Sequence, residues 1–236
     1  RRIAHEIKNP LTPIQLSAER LKRKYLKEIK SDPKTFEVCT DTIIRHVGDI
    51  GRMVNEFSDF ARMPESVMRP TRLIAELQDM VTFRQEAHKD IQISMIGNLK
   101  EERDLLVSCD SQQVRQALTN LLQNAIDSIQ TKQEKNKRYQ GKINVLMYKK
   151  DMELIFSVSD NGLGLPEGQD PSSLSEPYVT HREKGTGLGL AIVKKVMTDH
   201  DGDLVIGVSE DVKAIDEWND LGGATITLIL PMNEIS

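Results

Sequence analysis

A histidine near the start of the chain has neighbours that suit phosphoryl chemistry. His5 is followed by Glu6 and, one helical turn further on, by Asn9. A neutral imidazole can act as a nucleophile, and an adjacent carboxylate can hydrogen-bond its second nitrogen and accept its proton. The amide of Asn9 could hold a water molecule in line with a phosphoryl group. The chemistry permits these roles, and a solvated surface histidine is the common alternative.

Two asparagines form a second candidate group, Asn120 and Asn124 in the run Asn-Leu-Leu-Gln-Asn. They are four residues apart on a predicted helix, so both side chains project from one side. Mg²⁺ prefers oxygen ligands and retains several waters, so amides placed in this way can ligate it and contact phosphates. Paired asparagines are also common as solvated helix residues, and they need support from other motifs.

Three glycine-containing motifs follow. Asp160 can accept a hydrogen bond from an exocyclic amine, and Gly162 and Gly164 let a ligand approach the backbone. The run 185–190 opens a predicted helix, whose free N–H groups and positive dipole end suit a polyphosphate. Neither a Walker lysine nor a dinucleotide-fold context accompanies it. Gly222-Gly223-Ala224 could be only a tight turn.

The periodicity around the histidine predicts the element that carries it. Apolar residues alternate at spacings of three and four from Ile3 to about Tyr25, which indicates one long helix with a coiled-coil-like seam. Pro10 and Pro13 inside it cost about 3 kcal/mol each and predict a functional bend beside His5. The seam residues are Ala4, Ile7, Leu11, Ile14, Ala18, Leu21 and Tyr25.

A second helix with the same spacing follows. Ser31-Asp32-Pro33 is a helix-start signal, with Ser or Asp as the cap and Pro in the first turn. The helix should end near Met63-Pro64. One hairpin cannot bury such a seam alone, so we expect a homodimeric four-helix bundle. The seam residues of this helix are Ile43, Val47, Ile50, Val54, Phe57 and Ala61.

Beyond residues 64–70 the pattern changes to strands interleaved with helices. This mixture predicts an α/β sandwich, one sheet covered by helices on one face. The irregular stretch 164–185 is long enough to be a functional lid or a disordered insert. Residues 133–140 are expected to be a solvated helix end or loop. Helices are predicted at 72–88, 111–131 and 189–200, and strands at 91–96, 105–109, 143–148, 154–159, 204–208 and 224–230.

The composition of the 236-residue chain fits a globular protein, with 38% hydrophobic and 29% charged residues. A formal net charge of −4 offers no basic surplus, so no nucleic-acid partner is expected. No membrane contact by this segment is expected either. Cys39 and Cys109 stand in no metal-ligand spacing and are expected to be free thiols.

No apolar run approaches the roughly 18 residues that cross a bilayer. Without an initiator Met, the chain is expected to be a fragment.

Two sets of motifs together resemble a known family. The string His5-Glu6-Ile7-Lys8-Asn9-Pro10 resembles the phosphoacceptor box of the sensor histidine kinases of two-component systems. The later motifs, in their order, look like the N, G1, G2 and G3 boxes of the ATP-binding fold shared by histidine kinases, gyrase, the heat-shock chaperone and mismatch-repair ATPases. Thr12-Pro13 and Tyr178-Val179-Thr180 are most similar to the nitrogen-regulatory, NtrY-like branch. The resemblance implies an ATP-dependent protein histidine kinase.

The resemblance also implies roles for individual residues. His5 would be phosphorylated, with Glu6 as its general base, and Asn9 would act in dephosphorylating the response regulator. Asn124 would be the Mg²⁺ ligand and Asn120 a phosphate contact. The nucleotide-binding residues that it implies are Asn120, Asn124, Asp160, Gly162, Gly164, Tyr178, Arg182, Lys184, Gly185, Thr186, Gly187, Leu188 and Gly189.

Within this set, Asp160 would bind the adenine amine, and Arg182 and Lys184 are candidate contacts of the γ-phosphate. Glu176-Pro177-Tyr178 resembles the F box of the family's lid, with Tyr where Phe is common. His181 is a further candidate contact, although a solvent-facing lid histidine is the more common case.

We therefore predict a dimerising hairpin at residues 1–66 that presents His5, and an α/β domain at 67–236 that binds ATP·Mg²⁺ and transfers the γ-phosphoryl group to it. Phosphoryl transfer depends on positioning and charge neutralisation, so a hinge at 63–70 and a lid at 166–184 should govern the rate. The phosphoryl group would pass to an Asp of a response-regulator receiver domain. By the resemblance, this core is cytoplasmic and its parent protein lies in the inner membrane.

Two other classes of protein stay open. One is an ATP-driven conformational protein of the same fold, such as a mismatch-repair or topoisomerase ATPase, and the His5 motif and the dimerising hairpin argue against it. The other is a non-catalytic signalling scaffold, or a protein that acts mainly as a phosphatase of its regulator through Asn9. The intact nucleotide motifs argue against a scaffold but not against a phosphatase.

Overall fold

A computed structural model describes residues 2–61, 63–99, 102–166, 168, 170–179 and 185–232, and the side chains of residues 2–5, 56 and 59 lie outside that description. The chain forms two compact units, one over residues 1–64 and 182–188 and one over 65–181 and 189–236. The first is a helical hairpin and the second combines a sheet with helices. The fold class predicted from the sequence is confirmed.

Two long helices make the first unit, α1 (Arg2–Tyr25) and α2 (Pro33–Phe60). α1 is continuous through Pro10 and Pro13, so neither proline ends the helix. α2 ends at Phe60, slightly before the predicted stop near Met63.

Polar contacts fix the start of α2 and join the two helices. Oδ1 of Asp32 accepts a hydrogen bond from the amide of Thr35 at 3.1 Å, which makes Asp32 the predicted cap. The hydroxyl and amide of Thr35 hold the pKa of Asp32 below its usual range. Nζ of Lys22 on α1 lies 2.7 Å from Oδ1 of Asp41 on α2, and this hydrogen bond raises the pKa of Lys22.

Among the described side chains of the hairpin, one side is buried within a single chain. Ala18, Thr40, Val47 and Val54 have at most 9% of their surface exposed. Two rows of apolar side chains at seven-residue spacing, one row on each helix, remain 41–46% exposed, and a surface of this kind marks an interaction site. The rows are Ile7, Ile14 and Leu21 on α1, and Ile43, Ile50 and Phe57 on α2.

The second unit is built on a five-stranded sheet. Its strands are β2 (Ile91–Ile96), β4 (Gly141–Lys150), β5 (Glu153–Asp160), β6 (Asp203–Ile206) and β7 (Thr225–Pro231). The spatial order is β2-β4-β5-β7-β6, with β2 parallel to β4 and every other pair antiparallel. Each predicted strand is present, with small differences at its ends.

Three helices pack against this sheet, namely α3 (Leu73–Ala87), α4 (Ser111–Lys135) and α5 (Gly189–Asp199). Their buried residues are mostly Leu, Ile and Val, and the facing strands contribute a near-continuous apolar layer that includes Phe156. α4 runs to Lys135, so the stretch 133–140, predicted as a solvated helix end or loop, begins with the end of this helix.

The opposite face of the sheet is also covered in part, which the predicted one-sided packing did not include. Leu146 and Ile155 on the sheet form a second small core with Val212 and Ile215. Val212 lies in a short helix, α6 (Glu210–Lys213).

Two further elements were not predicted. β1 (Arg69–Thr71) pairs antiparallel with β3 (Val107–Cys109) in a separate two-stranded sheet, and a 3₁₀ helix spans Pro171–Ser175. With 3 and 5 residues, these elements are too short to produce a periodic pattern in the sequence.

Candidate nucleotide site and phosphoacceptor helix

The start of α4 is a junction of three segments of the second unit. Oδ1 of Asp110 caps the helix by accepting from the amide of Gln113 at 3.2 Å, and Oδ2 accepts from the amide of Val67 at 3.1 Å. The amide of Asp110 donates to Nε2 of His200 at 3.0 Å. Because Nε2 accepts, the proton of this buried ring is on Nδ1, which lies 2.8 Å from the carbonyl of Val196. The N-terminus of the helix that carries the asparagines is therefore held in place.

Asn120 and Asn124 lie one turn apart on α4, and both are partly exposed. Nδ2 of Asn120 is buried and has no hydrogen-bond partner among the described residues. A buried donor without a partner costs about 1–3 kcal/mol, so native structures rarely keep one without a reason. A phosphate oxygen of a ligand would supply the missing acceptor.

The beginning of α5 lies close to these amides. A Cβ placed on Gly189 would be 3.6 Å from Nδ2 of Asn124. The first N–H groups of a helix have no partners within it, and they mark the positive end of its dipole. The structure thus brings two predicted phosphate-binding features together, the asparagines of α4 and the N-terminus of α5.

Asp160 is the last residue of β5 and is buried. Its Oδ1 accepts from the amide of Gly162 at 2.7 Å, and its own amide donates to the carbonyl of Ala224 at 2.9 Å. A Cβ on Gly223 would lie 2.6 Å from the same Oδ1. The run Gly222-Gly223-Ala224 is therefore more than a turn, because only glycine at position 223 leaves room for this carboxylate.

The loop after Asp160 is attached to α4 by Ser128. Oγ of Ser128 accepts from the amide of Leu163 at 2.8 Å. A Cβ on Gly162 would lie 2.7 Å from Cβ of Ser128, so a larger residue cannot enter without moving the loop or the helix. Gly164, two residues on, adopts a φ of 84°. The loop passes Ser128 so closely that it depends on glycine at position 162.

Lysine and tyrosine side chains hold the same loop from its other side. Nζ of Lys132 donates to the carbonyls of Asn161 at 2.9 Å and Gly162 at 3.0 Å. The ring of Tyr139 lies 4.6 Å from this ammonium, and its hydroxyl donates to the carbonyl of Asn161. These contacts fix the loop that carries the predicted adenine-binding residues.

Ser128, Lys132 and Tyr139 were not among the predicted site residues. Ser128 and Lys132 continue the four-residue spacing of Asn120 and Asn124 along α4, so the helical period contained a signal for both. Tyr139 lies beyond the helix, and its role depends on a tertiary contact that no local pattern indicates.

The glycine-rich run before α5 has its own local geometry. The amide of Leu188 donates to Oγ1 of Thr186 at 3.4 Å, and Gly187 adopts a φ of 71°. Leu188 is buried, while Gly185, Thr186 and Gly187 are partly exposed. This backbone leaves three consecutive residues accessible to a ligand.

In the predicted lid, Tyr178 is 61% exposed and has a φ of 69°, an uncommon conformation for a bulky residue that often marks a functional segment. Asp170 caps the 3₁₀ helix by accepting from the amide of Ser172 at 3.0 Å, and the hydroxyl and amide of Ser172 lower its pKa. The predicted contacts His181, Arg182 and Lys184 lie outside the described residues.

In the first unit, His5, Glu6 and Asn9 lie on α1. The side chains of Glu6 and Asn9 are exposed, and the side chain of His5 is outside the description. The described part of the chain contains no cluster of three or more His, Cys, Asp or Glu side chains that could hold a metal ion. The amide oxygen of Asn124 and the phosphate oxygens of a nucleotide are donors of the kind that fits Mg²⁺.

Both units of the chain match known protein families. Residues 109–234 match the family of histidine kinase-, DNA gyrase B- and HSP90-like ATPases, and residues 1–66 match the His Kinase A (phospho-acceptor) domain. The chain belongs to the histidine kinase-, DNA gyrase B- and HSP90-like ATPase family, and its phospho-acceptor domain groups it with the sensor histidine kinases. Its second unit is an ATP-binding domain of that type.

Two relatives with curated descriptions belong to the NtrY-like branch of these kinases. The chain is 48% identical over 202 residues to nitrogen regulation protein NtrY of Azorhizobium caulinodans, which covers 86% of this chain and 25% of that protein. It is 38% identical over 215 residues to a putative sensor histidine kinase NtrY-like of Rickettsia typhi, which covers 91% of this chain and 34% of that protein. The chain thus spans a quarter to a third of these relatives, and the predicted likeness to the NtrY-like branch is confirmed.

Solved structures agree in fold. Histidine kinase ThkA in complex with response regulator protein TrrA superposes with a TM-score of 0.62 at 22% identity, covering 98% of this chain and 60% of that chain. Full-length ShkA in complex with AMPPNP gives a TM-score of 0.60 at 21% identity, covering 100% of this chain and 46% of that chain. Among the helices of the described residues, none is long and apolar enough to span a membrane.

Proposed function

We propose that this chain transfers the γ-phosphoryl group of ATP to His5, and that the phosphoryl group then passes to an Asp of a response-regulator receiver domain. The observation that carries the proposal is the buried Nδ2 of Asn120, which has no hydrogen-bond partner among the described residues. It lies one turn from Asn124, which is beside the N-terminus of α5. This arrangement offers N–H donors and amide oxygens to a polyphosphate. The solved complex of ThkA with a response regulator supports the choice of partner.

The buried carboxylate of Asp160 would accept a hydrogen bond from the adenine amine, in a pocket lined by Gly162 and Gly164. Asn120 would donate to a phosphate oxygen, and Asn124 would hold Mg²⁺ through its amide oxygen. The bound cation would supply neutralisation of phosphate charge. The residues proposed to contact the phosphates or close over them are Tyr178, Arg182, Lys184, Gly185, Thr186, Gly187, Leu188 and Gly189.

In the transfer step, one nitrogen of the His5 imidazole forms a bond to the γ-phosphorus as the bond from that phosphorus to the β–γ bridging oxygen breaks. ADP leaves with the electron pair, and Glu6 accepts the proton of the second ring nitrogen. The protein's contribution is positioning and charge stabilisation, because such transfers need little covalent assistance. Asn9, exposed on the same helix, would orient water when the regulator is dephosphorylated.

The assembly proposed for this activity is a homodimer in which the hairpins of residues 1–66 pair and each carries an ATP-binding domain of residues 67–236. The six half-exposed apolar residues of α1 and α2 support this pairing. The likeness to NtrY-like sensor kinases supports a parent protein anchored in the inner membrane, with this core on the cytoplasmic side.

Incubation with radiolabelled ATP and Mg²⁺ tests the proposal. The unmodified chain is expected to acquire an acid-labile label, which His5→Gln and Asn124→Ala should both abolish. His46→Gln provides a matched control, because His46 is an exposed histidine on α2 and should not affect labelling.

Label that persists in His5→Gln would contradict the assignment of the phosphoacceptor. A chain that binds ATP and hydrolyses it without labelling would be an ATP-driven conformational protein, and a chain that binds no nucleotide would be a scaffold. Faster decay of a phosphorylated receiver domain, lost in Asn9→Ala, would indicate the phosphatase activity.

A further inference from the structure

An unpredicted segment crosses the back of the sheet, on the face opposite α4. The cross-strand segment, residues 209–219, begins at Ser209, whose Oγ caps α6 by accepting from the amide of Val212 at 3.2 Å. Val212 and Ile215 anchor the segment in the second small core, with Trp218 packed against that core. The segment is thus fixed by buried apolar contacts.

Consecutive residues then attach it to three strands. Glu217 Oε2 accepts from the amide of Gly97 after β2 at 3.0 Å, and Asn219 Oδ1 accepts from Nδ2 of Asn144 on β4 at 3.0 Å. Between them, Nε1 of Trp218 donates to Oγ of Ser159 on β5 at 3.3 Å.

The contact with Ser159 reaches the residue directly before Asp160. Ser159 is 2% exposed, and its Oγ lies 2.8 Å from Oγ1 of Thr225 on the neighbouring strand. Successive side chains of a strand point to opposite faces, so Trp218 and Thr225 hold the back of the peptide whose front carries the Asp160 carboxylate. β5 ends at Asp160, whose own amide donates to the carbonyl of Ala224 at 2.9 Å.

We infer that Trp218 is a positioning residue that sets the preference of the site for adenine, an inference that rests on the proposed ATP site. Asp160 can select a 6-amino purine only if its acceptor oxygen stays in place, because displacements of about half an ångström already weaken such recognition. A 6-oxo purine would present a carbonyl oxygen to the same carboxylate. A restraint that holds the carboxylate in place beside the 6-amino group therefore both strengthens ATP binding and excludes GTP.

The test compares the dissociation constants of ATP and GTP, measured by calorimetry on the whole chain, for the unmodified protein, Trp218→Phe, Ser159→Ala and the double variant. Each single change should lower the preference for ATP over GTP by about threefold to tenfold, the range expected for loss of one hydrogen bond. The double variant should lose no more than Ser159→Ala alone, since that change already removes the contact with Trp218 as well as the one with Thr225.

Asn219→Ala is the matched control. It releases the neighbouring attachment to Asn144 and should lower the melting temperature without changing the ratio of the two dissociation constants. Equal preference in Trp218→Phe and the unmodified chain, or an equal shift in Asn219→Ala, would overturn the inference. Failure of the unmodified chain to bind ATP would instead overturn the proposed function.

The unmodified chain provides an independent reading, because Trp218 is its single tryptophan. Its fluorescence should change on addition of ATP and much less on addition of GTP, and the ATP response should disappear in Asp160→Asn. A signal that is insensitive to ATP at saturating concentration would contradict the coupling between Trp218 and Asp160.

Discussion

Gly162 is the position where a single added carbon should do most damage to the nucleotide site. In Gly162→Ala the new Cβ would lie 2.7 Å from Cβ of Ser128 and 2.8 Å from Oδ1 of Asp160. The loop must move away from α4, and we expect the affinity for ATP to fall by roughly tenfold or more. A loss of about 1.4 kcal/mol in the binding free energy is sufficient for a tenfold change. Calorimetric titration measures the change.

A second substitution serves as the control for this prediction. Ser128→Gly removes the side chain that the new Cβ meets, so the double variant should recover part of the lost affinity. An unchanged affinity in Gly162→Ala alone would contradict the steric argument.

The buried thiol of Cys109 makes the stability of the fold depend on pH. It is 1% exposed, and its burial, with smaller contributions from Glu76 and Asp110, raises the pKa of its thiol to about 12. In the unfolded chain the thiol ionises near its ordinary value of about 8.5. Between these two values only the unfolded state loses the proton, so stability is retained below about pH 8.5 and falls as the pH rises, by up to about 1.4 kcal/mol per pH unit.

Urea unfolding at about pH 8 and about pH 10 should therefore show a loss for the unmodified chain that is about 2 kcal/mol larger than the loss for Cys109→Ala. Cys39, an exposed thiol, is the same in both proteins and cancels in the comparison. Identical pH dependence of the two proteins would contradict the assigned shift.

At the scale of elements, α4 depends on α5 through one buried ring. His200→Phe preserves the shape of the side chain but leaves the amide of Asp110 and the carbonyl of Val196 without their partners. We expect the free energy of unfolding to fall by about 2–3 kcal/mol, the cost of unsatisfied buried groups. Chemical denaturation measures it, with Thr198→Ala, an exposed position on the same helix, as the control. A loss equal to that of the control would contradict this role.

The helices and main strands could be predicted because each contains enough residues to show its period. The glycine motifs could be predicted because their chemistry is local. The coupling of Trp218 to Ser159 could not, since it joins residues far apart in the sequence across the back of a sheet. β1 could not either, because three residues including Pro70 give no pattern, and its pairing with β3 is a tertiary event.

At the scale of the whole molecule, the exposed rows of the hairpin predict its assembly. Ile50→Glu places a charge in the row that a second hairpin would cover, and we expect it to convert a dimer to a monomer. Light scattering during size-exclusion chromatography measures the mass. Val38→Glu, at a residue that is 56% exposed on the same helix but outside the row, should leave the dimer intact. Loss of the dimer in both variants would contradict the assignment of the interface.

The attachment of residues 66–71 to the second unit has a kinetic consequence. Ser66 donates to Oε1 of Gln113 at 2.7 Å, Val67 is bound to Asp110, and β1 is paired with β3. Only residues 61–65 then join the end of α2 to this anchored backbone, and five residues span at most about 17 Å. So short a tether gives the second unit a high effective concentration with respect to the hairpin, in the millimolar range. Labelling of His5 should accordingly be first order, at a rate per chain that dilution leaves unchanged until the dimer itself dissociates.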